Sequence, residues 1–124
     1  MAFDEHKSIA RKIENFATFS EILEHTATTN PENIFVIQND KRYNYDEFNK
    51  LVNLCSNYFQ ELNLNSGDIV SFILPNSIDY LIIYFAAIRS RIILNPFPYH
   101  LNAEEVISKI ETINPGVVFC QELH

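Results

Sequence analysis

Apolar residues recur along the chain with two different spacings. After Asn44, apolar side chains three and four positions apart share one helix face, which is typical of an amphipathic helix packed on a core. They are Phe48, Leu51, Val52, Cys55, Phe59 and Leu62. Short, nearly continuous apolar runs at 69–74, 92–94 and 117–120 instead indicate strands covered on both faces. The chain is therefore predicted to alternate helices with buried strands after residue 44.

Polar capping residues mark the predicted helix starts. In a capping box, a side chain accepts a hydrogen bond from the N–H three residues later, and a Glu there reaches back. Such pairs are Thr18 with Glu21, Asn44 with Glu47, and Asn102 with Glu105. Pro31 predicts that the first helix ends near Thr29. A further helix, from Ile78 to about Arg89, follows a Pro-Asn-Ser turn and is apolar nearly all round, which predicts burial on most sides.

A β-hairpin is predicted between the first two helices, with strands at 34–37 and 41–43 around an Asn-Asp turn. The element order is then helix, hairpin, helix, strand, helix, strand, helix, strand. This alternation implies right-handed crossovers and a parallel sheet. The predicted fold class is α/β: three short parallel strands with crossover helices, plus an N-terminal helix and a β-hairpin. Residues 1–17 are predicted to be a charged leader, and 18–124 the folded part.

Composition and charge narrow the partners that the chain can bind. The 124 residues are 47% apolar and 20% charged, which is typical of a globular protein with one core. Nine Lys and Arg against 16 Asp and Glu give a net charge of -7, which opposes binding to nucleic acid or anionic membranes. The longest apolar stretch, 81–88, is far shorter than the about 20 residues of a spanning helix. A charged N-terminus without an apolar core predicts no signal peptide, and a cytoplasmic protein.

No metal site, catalytic residue or cofactor-binding residue is predicted in the chain. The four histidines, His6, His25, His100 and His124, lack the spacing of metal ligands. Phosphate-binding loops need clustered glycines, whereas Gly67 and Gly116 are isolated. Cys55 and Cys120 lie in apolar runs, so both are expected to be buried, unreactive thiols rather than a disulfide.

One candidate binding surface lies beyond the carboxyl ends of the predicted strands, where ligands bind in open α/β sheets. Asn76 follows the first buried strand, and Tyr99 and His100 follow the second, in an irregular Pro-rich segment at 95–100. These three side chains are candidates to line a crevice. The alternative is that Asn76 is an N-cap and that the other two are surface loop residues.

Six segments carry a resemblance that covers most of the chain. They are Tyr-Asn-Tyr-Asp-Glu-Phe at 43–48, Gly-Asp-Ile-Val at 67–70, Leu-Pro-Asn-Ser at 74–77, the helix, strand and Asn-Pro turn at 84–98, Leu-Asn-Ala-Glu-Glu at 101–105, and Val-Val-Phe at 117–119. In this order they resemble the start of adenylate-forming (AMP-binding) enzymes, which include acyl-CoA synthetases. One departure is Arg89-Ser90-Arg91, where the family usually has Gly before the second buried strand.

The resemblance implies an N-terminal fragment of an ATP-dependent acyl-CoA synthetase, with the fold of an incomplete N-terminal subdomain. Its full-length parent would use ATP, Mg and CoA to convert a carboxylic acid into an acyl-adenylate and then a thioester. The family's phosphate loop and catalytic Lys would lie beyond residue 124, so the chain alone is expected to be catalytically incomplete. Its partner would be the remainder of the enzyme.

Two other functions stay open at this point. The chain could instead be a stand-alone interaction or oligomerisation module derived from such an enzyme, self-associating through exposed apolar surface. It could also be an unrelated small α/β binding domain, if the ordered segments are a coincidence.

Overall fold

Three parallel strands, β3 (Ile69–Ile73), β4 (Ile93–Pro96) and β5 (Val117–Cys120), form the central sheet. The computed structural model describes residues 18–121, and the predicted leader at 1–17 lies outside the described residues. The strand order is β4-β3-β5, and β3 pairs in parallel with both neighbours. The antiparallel hairpin of β1 (Ile34–Gln38) and β2 (Lys41–Asn44) forms a separate two-stranded sheet. The predicted α/β fold class is confirmed.

Residues 18–121 contain four helices, and three of them begin directly after the predicted capping residues. The four are α1 (Phe19–Thr29), α2 (Tyr45–Glu61), α3 (Ile78–Arg89) and α4 (Ala103–Ile113). The capping boxes of α2 and α4 are complete, because Asn44 and Asn102 each accept from the N–H of a Glu whose carboxylate accepts from the cap N–H. At α1, Thr18 Oγ1 accepts from the N–H of Glu21 at 3.2 Å. None of the helices described between 18 and 121 is long and apolar enough to cross a membrane.

Helix α3 is covered on most sides, as its apolar sequence predicts. Asp79 is the one exposed residue of this helix, while Ile83, Ala86 and Ala87 are buried. The α2 helix packs against it and brings Phe48 to within 5.6 Å of Phe85, measured between ring centroids. The crossover α3 leads from β3 to β4, and α4 leads back across β3 to β5 in the opposite direction. Right-handed crossovers therefore place α3 and α4 on opposite faces of the sheet.

Only the central strand of the sheet is buried throughout its middle. Val70, Ser71 and Phe72 of β3 are all buried, although their side chains alternate between the two faces. The prediction that the other two strands are equally buried is wrong, because β4 and β5 are the edges of the three-stranded sheet. Ile93 of β4 is 52% exposed. β4 also extends through Pro96 into the segment predicted as irregular. Proline has no N–H to donate to a neighbouring strand, and an edge strand tolerates it because one of its sides has no neighbour.

Arg89, at the end of α3, joins three helices. Its guanidinium donates to the Ser20 hydroxyl at 2.8 Å and to the side-chain oxygens of Asn49 and Asn53 at 2.8 and 2.7 Å. Glu24 of α1 lies 3.1 Å from Arg89 Nε. Burial lowers the pKa of Arg89, and the Glu24 carboxylate acts in the opposite direction. This arginine therefore holds α1 and α2 against the end of α3.

Arg91 takes over the backbone role of the glycine that the resemblance leads one to expect after α3. Its φ is 57°, in the left-handed region, and its N–H donates to the Ile88 carbonyl at 3.2 Å. Helices commonly end with a left-handed residue, and glycine adopts that conformation without steric cost. The helix end is thus built as in a glycine-terminated helix, with the strain of a side chain added.

Replacing Arg91 by glycine is expected to raise the free energy of unfolding by about 0.5–1 kcal/mol, because relief of left-handed strain exceeds the added freedom of the unfolded chain. Urea denaturation measures this change. Arg91→Ala removes the same charge but keeps the Cβ atom, so it serves as the matched control and should change stability by less than about 0.5 kcal/mol. A glycine variant no more stable than the alanine variant would contradict the assignment of strain.

The two cysteines differ in exposure. Cys55 lies partly buried on α2, and burial raises the pKa of its thiol to about 11. Cys120 is exposed at the end of β5. The prediction that both thiols are buried is wrong for Cys120, because β5 is an edge strand and Cys120 is its last residue.

A thiol reagent at about pH 8 is expected to modify Cys120 quickly, and Cys55 slowly, in the folded protein. The raised pKa keeps Cys55 protonated until the pH approaches its value of about 11, so its thiolate is scarce at lower pH. Titration with a chromogenic disulfide reagent, with and without denaturant, measures how many thiols react and how fast. Cys120→Ser should abolish the fast reaction and Cys55→Ser should preserve it; the reverse pattern would show that the exposures are assigned incorrectly.

Candidate functional site

The carboxyl ends of β3 and β4 meet at one edge of the sheet and border a crevice. β3 leads into residues 74–77, and β4 leads into the Phe-Pro-Tyr-His segment at 97–100. Between the two segments lies a cavity of about 520 Å³ whose lining includes Asn76, Tyr80 and Tyr99. The structure therefore brings two of the three candidate residues to one depression.

Asn76 borders three neighbouring depressions at this edge of the sheet, of which the crevice is one. It also lines a polar depression of about 500 Å³, together with Gln38 and Asp79, and an apolar one of about 390 Å³, together with Val36. All three depressions therefore meet at this exposed asparagine. No hydrogen bond within residues 18–121 occupies its side-chain amide, so both its donor and its acceptor are available to a ligand.

Ser77, and not Asn76, caps α3. The Ser77 hydroxyl accepts from the N–H of Tyr80 at 3.3 Å, and the Ser77 carbonyl accepts from Leu81. The alternative that Asn76 is the N-cap is therefore wrong. A serine one position later satisfies the same first-turn N–H groups and leaves Asn76 outside the helix.

Tyr99 and His100 lie in the turn that precedes α4, closed by a hydrogen bond from the N–H of Leu101 to the Pro98 carbonyl at 3.2 Å. Both side chains are exposed. Tyr99 lines the crevice, whereas His100 lines none of the three depressions that meet at Asn76. The crevice thus contains tyrosine phenols and an amide, which bind by hydrogen bonding and apolar contact.

Gln38 is part of this site and was missed by sequence reasoning. Its Oε1 accepts a hydrogen bond from the N–H of Ile78, the first residue of α3, at 2.6 Å. The two residues are 40 positions apart, and no local pattern connects them. The available signal was a polar residue ending the otherwise apolar strand β1, just before a tight turn.

The glycines lie at the opposite edge of the sheet, before β3 and before β5. Gly67 has a φ of 89° in the turn that precedes β3. A Cβ atom on Gly116 would lie 2.8 Å from the Leu64 side chain, so this glycine serves close packing. The N–H of Gly67 donates to the Arg91 carbonyl and that of Gly116 to the Ile69 carbonyl, so neither N–H is available to a phosphate group. No group of His, Cys, Asp and Glu between 18 and 121 is arranged to hold a metal ion.

Comparison with solved structures places this fold. A fatty acyl CoA synthetase from Mycobacterium tuberculosis superposes with a TM-score of 0.77 and 25% identity, over 82% of this chain and 20% of that protein. The N-terminal subdomain of NpsA from Klebsiella oxytoca, in complex with 3-hydroxybenzoyl-AMSN, superposes with a TM-score of 0.78 over 88% of this chain and 28% of that one. At 14% identity, the second likeness shows the fold alone.

Sequence comparison agrees with the structural neighbours. The long-chain-fatty-acid–CoA ligase FadD13 of Mycobacterium tuberculosis is 30% identical over 67 residues, which are 54% of this chain and 13% of that protein. The chain thus spans only a small part of the length of this relative. A model of the family described as AMP-binding enzyme matches residues 23–124. With most of its length matched, and with the predicted resemblance confirmed, the chain belongs to the AMP-binding enzyme family.

Proposed function

We propose that the chain is the N-terminal part of an ATP-dependent acid–CoA ligase that activates a fatty acid. The observation that carries the proposal is the match of its parallel sheet to a fatty acyl CoA synthetase at 25% identity and a TM-score of 0.77. The similarity to a ligase named for long-chain fatty acids supports the same substrate class. The family match removes the alternative of an unrelated α/β domain, and it gives no support to a stand-alone interaction module.

In this proposal the whole protein joins the carboxylate of the acid to the AMP portion of ATP and releases pyrophosphate. The thiol of CoA then displaces AMP and forms the thioester. Residues 18–121 supply neither a phosphate cradle nor a metal-ligand group. They contribute a scaffold and a crevice, and Asn76 and Tyr99 of this crevice lie near the acyl group.

The chemistry that these residues lack would come from the remainder of the enzyme, which we propose as the partner of this chain. The α4 helix supports such a partner, because none of its residues is buried and Ile107 of its apolar stripe is 55% exposed. A cytoplasmic location fits both free thiols, since a reducing compartment keeps cysteines unpaired.

Acid-dependent pyrophosphate release tests this function. We expect the protein, translated from its gene to the first stop codon, to release pyrophosphate with ATP, Mg and a straight-chain fatty acid, and to form the thioester when CoA is added. Residues 1–124 expressed alone should release none, because they lack a phosphate cradle. Reactions without acid are the control for ATP hydrolysis.

Two results would contradict the proposal in different ways. Failure of the whole protein to release pyrophosphate with every acid in a panel from acetate to long-chain and aromatic acids would remove the ligase function. Sustained turnover by residues 1–124 would instead show that ATP binds to this chain.

A further inference from the structure

The side chain of Gln38 connects the hairpin to the start of α3. Its oxygen accepts from the N–H of Ile78 at 2.6 Å, shorter than most N–H···O bonds. Ile78 is buried and its N–H is one of the first-turn groups that a helix leaves without an internal partner. The glutamine therefore provides an acceptor for the Ile78 N–H, which would otherwise be partly buried without one.

The position of Gln38 is itself fixed by the hairpin. It is the last residue of β1 and pairs with Lys41, the first residue of β2. Asn39, which follows it, has a φ of 55°, as in tight hairpin turns. The hairpin therefore fixes the backbone from which the Gln38 side chain reaches Ile78.

The segment that carries Asn76 is held at both ends. At one end, β3 anchors it within the sheet, where the Phe72 carbonyl accepts from the N–H of Phe97 at 2.9 Å. At the other end, the Gln38 bond to Ile78 begins two residues after Asn76. Gln38 and Asn76 also line two depressions in common. Loss of the Gln38 bond would leave this end held to α3 by Ser77 alone, and would loosen the segment that places Asn76 in the crevice.

We propose that Gln38 is a positioning residue for acid binding: through the N–H of Ile78 it fixes residues 75–77, and with them Asn76, at the crevice. The inference rests on the proposed ligase function. Gln38 acts through the backbone of another element, so the property that matters is an acceptor oxygen at this site and not the amide nitrogen.

Two substitutions separate the acceptor from the shape of the side chain. Gln38→Met keeps the length and removes the acceptor oxygen, whereas Gln38→Glu keeps the oxygen and adds a negative charge next to the N-terminus of α3, where it is favourable. Lys41→Met is the matched control, because it places the same side chain at an exposed position of the same hairpin. All variants are made in the protein as its gene encodes it.

In Gln38→Met we expect the KM for the fatty acid to rise about fivefold, the loss that one net hydrogen bond corresponds to, with kcat changed less than about twofold. Hydrogen exchange of the peptide that contains residues 75–81 should quicken by a similar factor. Gln38→Glu and Lys41→Met should match the wild-type protein in both measurements.

The outcomes distinguish this inference from the function on which it rests. A wild-type protein without acid-dependent pyrophosphate release overturns the ligase function, and with it the role in acid binding. An active wild-type protein with an unchanged KM in Gln38→Met overturns the inference alone, and a lower melting temperature in that variant would then show a merely structural bond. A Gln38→Glu variant as impaired as Gln38→Met would also overturn it, because the acceptor oxygen is retained.

Discussion

The fold depends on the enclosure of α3, a helix with no polar face. Such a helix cannot face water over much of its surface, so other elements must cover it. The sheet covers one side, and α1 and α2 pack against the helix from the other. Phe35 of the hairpin completes the cover, with its ring 6.1 Å from that of Phe85. The N-terminal helix and the hairpin, which take no part in the parallel sheet, are therefore required by the sequence of α3.

Enclosure of α3 also removes most of the Arg89 side chain, at the end of this helix, from solvent. A buried guanidinium is costly unless its donors are occupied. Ser20, Asn49, Asn53 and Glu24 provide the oxygens, and they come from α1 and α2, the same helices that cover the apolar part of α3. One arrangement of helices thus satisfies both the apolar side and the charged end, which favours a single way of packing them.

Local signals predicted the elements well, and non-local pairing explains what was missed. The caps at Asn44 and Asn102 need only residues three positions away, so the sequence shows them directly. The exposure of Cys120 follows from the strand order β4-β3-β5, which places its strand at an edge of the sheet. The apolar composition of the strand does not reveal this order. The Gln38 bond to Ile78 likewise exists only once the hairpin has docked on α3. At the site, the chain order predicted the edge, but only packing determined that Asn76 and Tyr99 share a depression and His100 does not.

The two edges of the sheet are suited to different tasks. At the amino edge, Gly116 is needed for close packing against Leu64, and Gly67 for a turn with positive φ. The N–H groups of both glycines already donate to backbone carbonyls. At the carboxyl edge, the unoccupied amide of Asn76 and the exposed ring of Tyr99 lie on segments that capped helices and strand ends hold in place. Rigid backbone beneath exposed polar side chains is the arrangement that holds a ligand at low entropic cost. In the proposed function, residues 18–121 therefore shape and position a bound group, and the remainder of the enzyme supplies the phosphate chemistry.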